Sequence, residues 1–173
     1  MPMIPLAVTK LLLVPTYDTD TARRIRESLG RRCDDHIDAY FGEWSKATVQ
    51  TIEGIGCKEW STIQELRDDP GDATPLERKL EEFFHRLNKD YAGKKVVCVL
   101  TPQTFFVAYK MLGQPRPAEV DGHQRYPANS IVAYRTDGPH LYASLIDPAT
   151  GRYSSFAPVA GNGYQGVPLS RQA

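Results

Sequence analysis

Few residues in this chain could do covalent or proton-transfer chemistry, and their spacing narrows the choice. His36 stands with Asp34, Asp35 and Asp38, donors that suit a hard cation. The run has neither a calcium-loop nor a zinc-helix frame, and a solvated acidic segment accounts for it. His85, His123 and His140 stand apart from one another. Cys98 lies in the apolar run Val96 to Leu100, where a free cysteine is a small core residue with a raised pKa. Cys33 follows Arg31-Arg32 and Cys57 precedes Lys58, neighbours that can lower a thiol pKa, although surface cysteines beside basic residues are common without function. Neither Cys-x-x-Cys nor Cys/His ligand spacing occurs, so no metal site is expected. A Gly-x-Ser-x-Gly elbow, a P-loop and a dinucleotide-binding glycine pattern are all missing. No catalytic residue can be named on this basis, and no cofactor is expected.

Two turns hold the remaining candidates. Thr16, Tyr17 and Asp18 follow the apolar run Lys10 to Val14, and Thr101, Gln103 and Thr104 follow Val96 to Leu100. Both runs are apolar on consecutive residues, the pattern of strands buried on both faces, and in open parallel sheets ligands bind in the crevice at the carboxyl ends of such strands. These six residues are therefore the candidate crevice lining. The plainer alternative is ordinary turn chemistry, with Asp18 or Asp20 capping one helix and Thr101 capping another that has Pro102 at its first position.

The elements that must position those turns follow from periodicity. Ala22, Ile25 and Leu29 recur at helical spacing over Thr21 to Leu29, with Gly30 just past the end. Ile37 to Trp44 is aromatic-rich and ambiguous, whereas Thr48 to Ile55 and Glu59 to Arg67 read as two short helices parted near Gly56. Asp68-Asp69-Pro70-Gly71-Asp72 is the strongest loop signal. Leu76, Leu80, Phe83, Phe84, Leu87 and Tyr91 then mark an amphipathic helix from Pro75 that Gly93 ends. Gln103 to Leu112 is a further helix, closed by Gly113. Ser130 to Arg135 and Leu141 to Ile146 read as an antiparallel hairpin, and in the Gly/Pro-rich stretch 148–173 only Tyr153 to Ala157 suggests another strand. The expected fold class is α/β: a mostly parallel sheet with helices on both faces, the two long apolar strands adjacent, and a C-terminal antiparallel hairpin.

The 173 residues, 41% of them hydrophobic, are enough for one domain with its own core. Lys and Arg together number 21 and so do Asp and Glu, a net charge of zero that argues against a nucleic-acid or membrane partner. Met1 to Val8 has two prolines and no basic residue, unlike a signal peptide, and Leu11 to Val14 is too short to span a membrane. A cytoplasmic protein with reduced thiols is the expectation.

Phe41-Gly42-Glu43-Trp44, a Thr-led helix, Lys58-Glu59-Trp60 and Asp69-Pro70-Gly71-Asp72 together resemble the middle of the histidine phosphatase (phosphoglycerate-mutase-like) superfamily. Thr21-Ala22 and Leu29-Gly30 upstream, and Met111-Leu112-Gly113 and Pro127-Ala128-Asn129-Ser130-Ile131 downstream, extend the resemblance over about residues 10 to 147. Active members carry an Arg-His-Gly motif after the first strand, a second histidine after the strand before the late helix, two arginines and an acid. Here no Arg-His-Gly occurs, Thr101-Pro102-Gln103-Thr104 stands where the second histidine is expected, Thr16-Tyr17-Asp18 where a Ser and an Arg precede the early helix, and Ala73-Thr74-Pro75 where the acid belongs. The resemblance thus implies a degenerate member. Its first strand is either lost or circularly permuted to the end, as Leu141 to Asp147 or Tyr153 to Ala157, and the tail from Gly163 to Ala173, with Pro168-Leu169-Ser170, resembles the segment that follows Arg-His-Gly. Residues 148–173 are then either a tail or the displaced first strand.

Phosphoryl transfer needs positive groups on the equatorial oxygens, and Tyr17, Asp18 and Thr101 supply none. The reading that follows is a catalytically inactive domain that binds or scaffolds a protein partner or a small molecule. The alternative is an enzyme that reuses the crevice on a non-phosphorylated small molecule, with Tyr17 and Asp18 as acid and base.

Overall fold

In chain order the elements are β1 (Lys10–Pro15), α1 (Thr19–Arg32), β2 (Ala39–Gly42), α2 (Lys46–Ile55), β3 (Ser61–Thr62), a 3₁₀ turn (Gln64–Leu66), α3 (Leu76–Asp90), β4 (Lys95–Leu100), α4 (Pro102–Leu112), β5 (Gln114–Pro115), β6 (Ile131–Asp137), β7 (His140–Ile146) and β8 (Ala157–Ala160). The structure, a computed structural model, describes residues 4–32, 37–57, 59–67, 69–115, 130–148 and 157–160.

One mixed sheet organises them, in the order β3-β2-β4-β1-β6-β7-β8-β5. The two apolar runs lie side by side and parallel, from Lys10 opposite Lys95 to Pro15 opposite Leu100. β2 joins the other side of β4 in parallel, and β3 extends the same direction beyond β2. On its other side β1 meets β6 antiparallel, and β6 and β7 form the expected hairpin around Gly138. The antiparallel part reaches further than the hairpin, because β8 pairs with β7 and β5 with β8.

Alternation along β1 and β4 divides the core into two layers. Leu11, Leu13, Val96, Cys98 and Leu100 pack with Leu80, Phe83, Phe84 and Leu87 of α3 and with Phe105, Ala108, Met111 and Leu112 of α4. Leu12, Val14, Val97 and Val99 pack on the opposite face with Ala22 and Ile25 of α1 and Ile52 and Ile55 of α2. Burial of both faces is why these strands read as unbroken apolar runs.

Two glycines set how closely the second layer packs. A Cβ on Gly54 would lie 2.5 Å from the Cβ of Ala22, so its absence lets α1 and α2 touch. A Cβ on Gly42 would meet Ile52 Cδ1 at 2.6 Å, Thr48 Cγ2 at 2.9 Å and Trp60 Cζ3 at 3.0 Å. Trp60 therefore seats directly on the β2 backbone.

Three sequence expectations change. The first helix runs to Arg32, through Gly30 rather than stopping before it; a glycine in a helix interior costs only about 1 kcal/mol against alanine, which the helix tolerates. Glu59 to Arg67 is not a helix but the short strand β3 followed by the 3₁₀ turn. Tertiary contacts override its local pattern: Ile63 is fully buried and donates its N–H to Gly42 O at 2.9 Å, and Glu65 takes a bidentate bond from Arg86 at 2.5 and 2.9 Å. The further strand begins at Ala157, where the expected Tyr153 to Ala157 ends; residues 153–156 and the tail from Gly163 lie outside the described residues. Among the described residues no helix is long and apolar enough to cross a membrane.

Candidate functional site

Because β1, β2 and β4 are parallel and in register, their carboxyl ends leave the sheet along one edge. Three turns meet there: Thr16-Tyr17-Asp18 after β1, Glu43-Trp44-Ser45 after β2, and Thr101-Pro102 entering α4. The antiparallel hairpin adds Ser130 and Asp147 at the same edge, since Ile131 opposite Ile146 lies beside the end of β1.

Tyr17 turns inward. It is buried with Ile25, Ile52 and Ile55 between α1, α2 and the sheet. Its backbone is clasped by Thr51, whose hydroxyl accepts the Tyr17 N–H at 2.9 Å and faces Tyr17 O at 3.1 Å. Burial, and secondarily the nearby Asp147 carboxylate, push the phenol pKa far above its ordinary value. Asp18 turns outward and caps α1, accepting the Thr21 N–H at 2.8 Å and the Thr21 hydroxyl at 3.0 Å. Those bonds hold its carboxyl below the usual range, so it stays ionised as a cap. The two side chains thus part at this turn, the tyrosine packed inside and the aspartate bonded at the helix start.

At the other strand end the polar groups are satisfied by a residue that sequence reasoning quoted but gave no role. Glu43 Oε1 accepts the Thr101 N–H at 3.0 Å and the Thr101 hydroxyl at 2.9 Å, and its Oε2 accepts the hydroxyl of buried Thr104 at 3.0 Å. Its own N–H donates to Val99 O at 3.0 Å, which fixes the turn against β4. A carboxylate at the amino end of α4 also complements the helix dipole. Thr101 sits at the cap position as expected, but its hydroxyl donates to Glu43 instead of accepting from the first turn of the helix. The signal available in the sequence was a helix opening Thr101-Pro102 with no acidic residue in its first turn, and Glu43 one residue beyond the last paired position of β2.

Of the six expected lining residues, Thr101 and Thr104 are brought together by Glu43, Gln103 is exposed on α4, Thr16 is half-buried, and Tyr17 and Asp18 point to opposite sides of their turn. Beside Glu43, Trp44 is 71% exposed and stacks on Trp60 with ring centroids 6.5 Å apart. Cys57 is half-buried; its thiol donates to Glu59 O at 2.9 Å, and burial raises its pKa, which reverses the activation read from its Lys58 neighbour. Cys98 is buried in β4 and pushed up strongly by the same cause. His85 is exposed on α3 near Glu81, and His140 opens β7 beside Tyr142. Cys33, Asp34, Asp35, His36 and His123 lie outside the described residues, whereas Asp38 accepts the Lys95 N–H at 2.9 Å.

No protein-family model matches the chain, and no curated protein does. Among solved structures, a histidine-to-alanine mutant of phosphoserine phosphatase from Entamoeba histolytica, in complex with phosphoserine, is similar with a TM-score of 0.50 and 12% identity, over 85% of this chain and 95% of that chain. Bacillus stearothermophilus YhfR gives a TM-score of 0.44 at 12% identity, over 89% of this chain and 96% of its own. At such identity the first likeness shows the fold: this chain has the α/β architecture of a phosphatase structure.

Proposed function

We propose that this chain is a histidine-phosphatase-like domain that has lost phosphatase chemistry and serves as a binding or scaffolding module. Fold alone does not carry function, so the reading rests on the site. The observation that supports it most is the Glu43 carboxylate seated on the amino end of α4, where Thr101 N–H and two threonine hydroxyls would otherwise face an anion.

β1 lies inside the sheet, between β4 and β6, as the Arg-His-Gly strand does in the family. Taking β1 as that strand puts Pro15-Thr16-Tyr17 in the motif's place and needs neither a lost nor a permuted strand. Thr16 then stands for the nucleophile, and Thr101-Pro102 for the second histidine. Between them the turns hold Asp18 and Glu43 and no cation; the nearest basic residue along these turns, Lys46, is exposed in the first turn of α2. A phosphate dianion about 5 Å from the Glu43 carboxylate would be repelled by roughly 2 to 7 kcal/mol at an effective dielectric between about 80 and 20.

The test is direct. Purified protein assayed with a generic aryl phosphate at neutral pH is expected to show no turnover above buffer, because losing a nucleophile from a constellation that acts as a unit costs on the order of 10⁴ to 10⁶ in rate. Titration with inorganic phosphate or vanadate, followed by calorimetry, is expected to show no sub-millimolar binding. Ordinary phosphatase turnover, or tight vanadate binding lost on Arg152→Ala or Arg171→Ala, would sink the reading and favour a rebuilt enzyme.

A further inference from the structure

Four aromatic rings among the described residues carry a cation. Arg86 lies over both Phe41 and Phe83, at 5.7 and 5.6 Å from the ring centroids, and Arg135 lies 5.6 Å from that of Tyr142. Phe106, 54% exposed, is covered by the Lys110 ammonium at 4.4 Å. Trp44, also exposed, has no cation over it among the described residues. It is the more exposed of the two large exposed hydrophobics among the described residues, and the partner its ring meets is Trp60. Trp60 is in turn keyed onto Gly42, so the platform is backed by the sheet and does not need ordering on binding.

We propose that the open face of Trp44 receives an arginine side chain presented by a partner protein. Tryptophan is the strongest aromatic host for a cation, and a planar guanidinium stacks on it where an ammonium cannot. The charge beside the platform fits: Glu43 is the adjacent residue, and Asp18 follows β1, two strands from β2 in the sheet order. Lys46, exposed at the first position of α2, limits the attraction to a guanidinium that stacks rather than to any basic surface. This inference rests on the binding-module reading and names the chemistry of the partner for it.

The experiment titrates the whole chain with the peptide acetyl-Arg-Gly-Arg-Gly-Arg-amide and with its citrulline counterpart, which keeps the shape and removes the charge. Indole N–H shifts in NMR and tryptophan fluorescence are the readouts. The arginine peptide is expected to move the Trp44 indole signal and to bind at least tenfold more tightly than the citrulline peptide. Trp44→Leu, which keeps an apolar side chain at an exposed position, is expected to weaken binding three- to thirtyfold, with Trp44→Phe between the two. Equal affinity for both peptides, or binding untouched by Trp44→Leu, overturns the proposal. Aryl-phosphate turnover would instead overturn the binding-module reading while leaving the peptide result to stand or fall separately.

Discussion

The ends of β1 and β4 lie side by side, and each closes itself by a different means. After β1 the closure is local and apolar: Tyr17 drops into the α1–α2 layer within two residues of the strand, and Asp18 caps the helix that follows. After β4 the closure is long-range and polar, because Glu43 crosses from the turn after β2, 58 residues earlier, to satisfy Thr101 and Thr104. Burial of a ring is insensitive to the exact placement of its neighbours, whereas a carboxylate bonded to three donors fixes distances. The β1 end is thus a plug and the β4 end a latch.

Tyr17→Ala should produce the largest loss, since removing a buried aromatic ring costs about 3 to 5 kcal/mol, or about 10 °C in a domain of this size. Urea and thermal unfolding would measure it. A loss under 1 kcal/mol would mean that the ring is not the plug described here.

Breaking the latch should cost less. Glu43→Ala leaves the Thr101 N–H and the Thr104 hydroxyl without their acceptor, and Thr104 is 3% exposed, so about 2 to 3 kcal/mol is expected. Glu43→Gln keeps one good acceptor and should lose about half of that. Equal losses for the two variants would show that charge at the amino end of α4 matters more than the hydrogen bonds.

Gly42→Ala sharpens the comparison by acting at the end of β2, beside the turn that carries Glu43 and Trp44. The added Cβ would press on Ile52, Thr48 and Trp60, and overpacking of this kind costs about 1 to 3 kcal/mol. A shift in tryptophan emission should accompany the loss, because Trp60 must move for the methyl to fit.

What the sequence revealed and what it hid follow the same division. The strands Lys10–Pro15 and Lys95–Leu100, the helix from Leu76 and the hairpin were legible because continuous or periodic burial leaves a continuous or periodic pattern. The span from Glu59 to Arg67 was not, because Ile63 and Glu65 are held by Gly42 and Arg86, partners far along the chain. The candidate site divides likewise. Asp18 as a cap could be read from its three-residue spacing to Thr21, but Glu43 could not be assigned until the register placed Gly42 beside Val99 and so brought its carboxylate to α4. The inward turn of Tyr17 was equally hidden, since a tyrosine beside an aspartate after a strand looks the same in sequence whether it lines a crevice or fills one.

The smallest expected effect separates plug from latch by pH alone. Tyr17 has its pKa raised by burial, and an unfolded tyrosine ionises near 10. Above that pH the unfolded chain has released the proton while the folded chain still holds it, so unfolding is coupled to proton loss and stability must fall as pH rises. The stability the buried phenol contributes is complete below pH ~10, and about 1 kcal/mol of it should be gone by pH ~10.5. Tyr134 and Tyr109 are shifted in the same direction by burial, so the whole alkaline limb sums several phenols. Comparing urea midpoints between pH 9 and 10.5 for the wild type and Tyr17→Phe isolates one of them: the variant should show the shallower fall. Glu43→Gln should leave that limb unchanged, since it removes no phenol. An equally steep fall in Tyr17→Phe would mean that the Tyr17 phenol reaches water, and the β1 end would then be an open turn.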